Sequence, residues 1–358
     1  MRLERYVLAQ LAFAFFVAAA GILFIATPAM AVSAVHKLSG VGTLAVLSYL
    51  PLMLAGFIPY ATPVALLLAL VSTYGRLAVD REWTAIQMAG VSPWRMILPA
   101  LLVAGTVGAL ALVMNAEVLP RMKFEQRAYQ IRALRDAVRN LSPGRTELSL
   151  GEFYLTARSR DGDVFHDAFI LVPEAEESPA RNFLAGTVEI TFDQESMRVV
   201  LGEVQHVQRD DESPYELLSE ETVLAIPFAS LIESEDPTSN KARYQRSSEL
   251  LEALQAGGLR PKDARHYLWE HHQRIAQAAS CLVFALLGAS TGLLLRKGTR
   301  MAALAVAVGY ALAYWMISLR LGKELAISGD IPAELGAWSA VIITGTVGVI
   351  LTRKAFSQ

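Results

Sequence analysis

Three long apolar runs, a polar stretch of roughly 150 residues and then three more apolar runs leave this chain few ways to fold. A bilayer core takes about 20 apolar residues in helical form. Residues 6–35, 44–74, 96–119, 275–295, 301–319 and 335–351 meet that length. The chain is 53% hydrophobic and only 18% charged, the profile of a membrane protein. Its net charge of -2 gives no reason to expect nucleic acid as a partner. The single cysteine, Cys281, lies in an apolar run. That rules out a disulfide framework or a thiolate cluster and suits a small packing residue.

The first two runs are long enough to tilt or to extend past the lipid. The second carries Pro51, Pro59 and Pro63, so it is expected to be bent or irregular. Basic residues in short loops set direction. Arg2, Arg5, Arg76, Arg81, Arg95, Arg296, Lys297, Arg300, Arg353 and Lys354 fall on one side, against Lys37, Arg320 and Lys323 on the other. Both termini are therefore expected in the cytoplasm and the long polar segment outside. Thr-Pro-Ala-Met-Ala at 27–31 resembles a signal-peptide cleavage site. The run before it is about twice a normal signal core, so an uncleaved span is the favoured reading.

The outside segment opens with a mixed-charge helix continuing from span three, stopped by Leu141-Ser142-Pro143-Gly144. Period-two patterning follows. Leu148 and Leu150 are out of phase with Phe153, Leu155 and Ala157, which suggests a bulge at Gly151. Asp161-Gly162 is a hairpin signal, and Val188, Ile190 and Phe192 alternate with polar residues, as do Met197, Val199 and Leu201. These short strands predict an antiparallel sandwich, jelly roll or open barrel. A polar linker over 236–249 follows, then a short helix capped by Ser247 or Ser248 and stopped by Gly257 and Gly258. The expected organisation is three spans over 1–120, the β domain with flanking helices over 121–265, and three spans over 266–358.

Between spans two and three the chain reads Tyr-Gly-Arg-Leu-Ala-Val-Asp-Arg-Glu-Trp-Thr-Ala-Ile-Gln-Met-Ala-Gly-Val-Ser-Pro-Trp-Arg. Residues 80–89 predict a helix with Asp80 and Glu82 at its positive end. Gly90 should stop it, and Ser92 and Pro93 should start the next. The helix is expected near the membrane surface, offering Trp83, Ile86 and Gln87. An interfacial anchor would explain Trp83 and Trp94. Anionic headgroups disfavour a carboxylate pair, whereas a basic protein surface would attract it.

Residues 50–99 resemble the YjgP/YjgQ family of lipopolysaccharide-export permeases, LptF and LptG. The carriers are the proline-rich span, Gly75, Arg76, Leu77, Glu82, and Ala89-Gly90-Val91-Ser92 with Trp94. A second block, 269–300, is similar to the family's through Glu270, Arg274 and Gly292. Gln277 and Ala278 stand where the family usually has proline, so span four is expected to be straighter. Arg76-Leu77 beside Asp80 and Glu82 looks more like the F type than the G type.

The resemblance implies a helical membrane protein of six spans with an inserted periplasmic jelly-roll-like domain. It implies a non-catalytic permease subunit of an inner-membrane ABC transporter. Its partners would be a cytoplasmic LptB-like ATPase dimer, a sister permease and an LptC-like bitopic protein. Lipopolysaccharide would be extracted and passed to a periplasmic bridge. The chain has no G-x-x-x-x-G-K-[ST], so ATP and Mg would sit on the partner and no cofactor on this chain. Arg76, Asp80, Glu82, Trp83, Ile86 and Gly90 would couple to the ATPase. His36, Lys37, Arg274, Arg320 and Lys323 would meet the lipid's anionic head, with Lys37 and Arg320 foremost. Phe153, Leu155, Val188, Ile190 and Phe192 would line the lipid's path. For each of these five an ordinary closed core is the simpler reading. A signalling permease that moves no lipid is the alternative, and the same docking patch would serve it. An enzyme is disfavoured, because the six histidines show no zinc spacing.

Overall fold

A computed structural model describes residues 2–38, 43–139, 147–150, 153–162, 164–172, 181–192, 196–207, 216–227, 242–295 and 300–357. They form two compact units. One comprises Met1–Thr27, Leu54–Lys123 and Thr238–Gln358, the other Pro28–Met53 and Phe124–Pro237.

Each of the six apolar runs becomes a helix long and apolar enough to cross a membrane. The first two are α1 (Arg2–Lys37) and α2 (Thr43–Val79), followed by the short α3 (Glu82–Met88). Next, α4 (Pro93–Val113) continues through a π-helical turn, Met114–Val118, into α5 (Leu119–Arg139). After the insert come α6 (Ser247–Ala256) and α7 (Pro261–Leu294). Then α8 (Arg300–Trp315) passes through a second π turn, Met316–Gly322, into α9 (Lys323–Ser328), and α10 (Ala333–Phe356) closes the chain.

Of the six spans α7 is the most buried and α1 the least. Small residues explain the first fact. A Cβ on Gly292 would lie 2.7 Å from the Gly75 nitrogen and 2.9 Å from the Val71 oxygen, so only glycine lets α2 and α7 meet backbone to backbone. Membrane helices gain packing in this way, because lipid supplies no hydrophobic drive between them. Ser318, in the second π turn, receives a hydrogen bond from Gln273 of α7 at 2.6 Å. Both side chains are buried.

Contrary to the irregularity expected of α2, the helix runs unbroken past Pro51, Pro59 and Pro63. Pro63 has no N–H to offer the carbonyl four residues earlier, that of Pro59. Gln277 of α7 donates to that oxygen instead, at 3.1 Å. The buried glutamine thus repairs the helix from across the interface, as membrane prolines require. Gln277→Leu is expected to leave the Pro59 carbonyl unpaired and to cost about 1–3 kcal/mol. Thermal unfolding in detergent would read this as a lower midpoint, with Gln277→Asn closer to the parent.

The insert is a six-stranded antiparallel sheet in the order β1 to β6. Its strands are β1 (Glu147–Leu150), β2 (Phe153–Asp161), β3 (Val164–Val172), β4 (Arg181–Phe192), β5 (Ser196–Val207) and β6 (Glu216–Pro227). Every described strand pairs with its sequence neighbours in an antiparallel meander. Leu150 pairs with Phe153; Gly151, expected as a bulge, lies outside the described residues. Asp161 and Gly162 turn the chain as expected, with Asp161 opposite Val164 and Gly162 at φ 59°. Alternate residues share one face: Leu155 lies opposite Ile170, Phe165 opposite Val188, and Ile190 opposite Val199. That face forms a single apolar core contributed by β2 to β6. The Leu141–Gly144 stop and residues 236–241 of the linker lie outside the described residues.

Candidate functional site

At the end of the bundle that bears both termini, α2 stops at Val79 and Arg81 takes a left-handed backbone, φ 59°. The following helix therefore begins at Glu82 rather than at Asp80. Gly90, at φ 77°, reverses the chain, and Ser92 and Pro93 open α4, all as the sequence predicts. Glu82 stands in the first turn of α3, where partial positive charge from the helix favours it.

The face that α3 presents differs from the expectation. Trp83 is 5% exposed and belongs to the core of the spans, with Leu77, Met96 and Ile97 around the same cluster. Ile86 packs against that cluster too. Large apolar residues three apart fall on one helix face, and the bundle's own core claims that face. Trp83 and Ile86 thus seat the helix. The exposed side carries Arg81, Thr84, Ala85 and Met88, and Met88 is 79% exposed. Sequence reasoning missed Met88. Its signal was the wheel position opposite Trp83 and Ile86.

Three contacts brace the patch. Tyr6 donates to Glu82 Oε1 at 3.4 Å, and Arg95 Nε donates to Glu4 Oε1 at 3.1 Å. Trp94 meets Phe356 edge to face, with ring centroids 5.0 Å apart. Beneath them Tyr74 donates to the Met96 carbonyl at 2.7 Å. The short helix is therefore tied to the starts of α1 and α4, and α4 to the end of α10. Force on α3 would pass into these spans as into a stiff lever. Arg76, expected in the same patch, lines a cleft between α1 and α2 instead.

The expected lipid-facing cations divide. Arg274 is 4% exposed, and the protein itself occupies its guanidinium. Nε meets Glu270 Oε1 at 3.3 Å. Nη1 donates to the Gln245 carbonyl at 2.9 Å and Ser247 Oγ at 3.2 Å, and Nη2 to the Ala242 carbonyl at 3.1 Å. This is a clamp on the segment that re-enters the bundle, not a cation open to lipid. Ser247, read as a cap, begins α6 and accepts from Arg274, while Glu249 accepts the Arg246 N–H at 2.8 Å.

Arg320 is exposed, whereas Lys323 is half-buried with its ammonium 5.8 Å from the Trp269 ring centroid. His36 and Lys37 are exposed in the last turn of α1, within the other unit. In the β domain Phe153, Leu155 and Val188 are fully buried and Ile190 nearly so, all in one core. Phe192 ends β4, and its side chain lies outside the described residues.

Six spans, a short helix seated across the turn between two of them and a β domain inserted midway define a multi-pass membrane protein. The chain belongs to the LptF/LptG family: the family described as lipopolysaccharide export system permease LptF/LptG matches residues 5–354, nearly its whole length. A comparison with curated proteins found no match.

Proposed function

We propose that this chain is the membrane subunit of an ABC exporter that draws lipopolysaccharide from the bacterial inner membrane and hands it to a periplasmic bridge. One observation carries the reading beyond the family: α3 is fixed to the core by Trp83 and Ile86 while its opposite face is open to a partner. The basic short loops support a cytoplasmic position for that face and for both termini. There Glu82 and Met88 would enter a groove of an LptB-like ATPase dimer, with an arginine of the groove meeting the carboxylate. A sister permease would complete the path through the membrane, and an LptC-like bitopic protein would start the bridge.

Work is needed because each buried CH₂ is worth about 0.8 kcal/mol, on the order of 10 kcal/mol for one long acyl chain exposed to water. Exposed Lys37 and Arg320, with His36 and Lys323, suit the lipid's phosphates. The apolar face holding Phe153, Leu155, Val188 and Ile190 suits its chains. In the free chain that face is packed on itself, so cargo would enter only when the sheet opens. Among the described strands β1 and β6 are edges, the natural places for opening and for pairing with the bridge.

The purified chain alone is expected to hydrolyse no ATP, with hydrolysis appearing on addition of the ATPase. Hydrolysis by the chain unaided would reject the assignment.

A further inference from the structure

The cleft that takes Arg76 has the form of an amphiphile. It lies between α1 and α2, holds about 490 Å³ and runs along residues 10 to 25 of α1. That volume falls within the range of about 300–1,000 Å³ typical of small-molecule sites. Successive spans run antiparallel, so the polar lining collects at one end. Gln10 of α1 stands there with Thr73 and Arg76 of α2, and beyond them the walls are apolar, with Phe13, Val17 and Leu68 among them.

Two polar groups at that end lack partners. Arg76 is half-buried, and its guanidinium has no hydrogen bond or ion pair among the described residues. The Oε1 atom of Gln10 is buried and accepts no hydrogen bond. A cation without an anion and an acceptor without a donor, both lining the same apolar trough, ask for one molecule. It must carry a negative charge, a hydroxyl and a hydrocarbon tail.

The length of the trough suits one lipid chain. From residue 10 to residue 25, α1 rises about 22 Å. One leaflet of a hydrocarbon core about 30 Å thick is about 15 Å deep, so the trough accommodates a single leaflet's chain and its head.

We infer that this cleft binds an anionic glycerophospholipid, from the leaflet at the end bearing the termini. The phosphate sits on Arg76, a head hydroxyl donates to Gln10, and one acyl chain lies along α1. This site is independent of the cargo, because it requires only a resident membrane lipid.

The full-length chain with its transporter partners, carrying a photo-crosslinking residue at Val17, would be placed in nanodiscs of phosphatidylglycerol or of phosphatidylcholine. The second lipid has neither net charge nor a head-group donor. Mass spectrometry of the adducts is expected to give about fivefold more lipid capture in phosphatidylglycerol, as one surface arginine contributes. Arg76→Leu should abolish the preference and Arg76→Lys should keep it. Equal capture of the two lipids, a preference that survives Arg76→Leu, or capture of a second polypeptide in place of lipid would overturn the proposal. If Arg76→Leu does not insert, the comparison of the two lipids with the native chain decides it.

Discussion

Arg274→Ala is expected to free the segment 242–247 from α7. Removing one partner of a buried ion pair costs about 3–5 kcal/mol, because the other charge stays buried and unpaired. Here Glu270, its side chain only 14% exposed, would be that charge, left with the weaker pull of Lys123 and Arg243. The carbonyls of Ala242 and Gln245 and the hydroxyl of Ser247 would lose their donor as well. At 3 kcal/mol the open form would rise roughly a hundredfold or more. Trypsin reads this directly, since Arg243 and Arg246 lie within the clamped segment. Cleavage there should quicken while cleavage elsewhere changes little. Arg274→Lys keeps the charge but loses the planar fork, and should fall between the two. Unchanged cleavage in Arg274→Ala would show that the clamp holds nothing.

Reversing the charge on α3 is the second large effect. In Glu82→Lys the helix loses the Tyr6 hydrogen bond but keeps its seat, because Trp83, Ile86 and the Tyr74–Met96 hydrogen bond do not involve the carboxylate. The partner's groove would lose its anion and meet a cation. Truncating one side of a buried charge pair at an interface costs about 2–5 kcal/mol, so association with the ATPase should weaken about 30-fold or more. Copurification from membranes would read this, with membrane insertion of the variant as the control. Undiminished copurification would remove Glu82 from the docking surface. Met88→Asp is the companion variant, since it charges the open face without touching the acid.

The spans were legible because their signal is a length: a run of about 20 apolar residues has little choice but to cross the membrane. The turn through Gly90, Ser92 and Pro93 was legible because each residue type answers a local backbone demand. The face of α3 was not. Trp83 and Ile86 look like contacts for a partner until the bundle is assembled and claims them. Arg274 fails in the same way, for a cation at a span's edge reads as a lipid contact unless its acceptors are known. Those acceptors sit at 242–247, some 30 residues away in sequence. Gln277 was seen only as a departure from a proline, and its use depends on Pro63, more than 200 residues earlier. In the insert, periodicity located the strands, but pairing order is long-range, so the meander could not be distinguished from other antiparallel folds.

The most direct test places a photo-crosslinking residue at Ile190, on the apolar face of the sheet, in the transporter reconstituted with its ATPase and lipopolysaccharide. Adducts between the β domain and lipopolysaccharide should appear with ATP and be absent without it. Capture that does not depend on ATP, or no capture in an actively hydrolysing complex, would contradict a conveyor driven from the far side of the membrane.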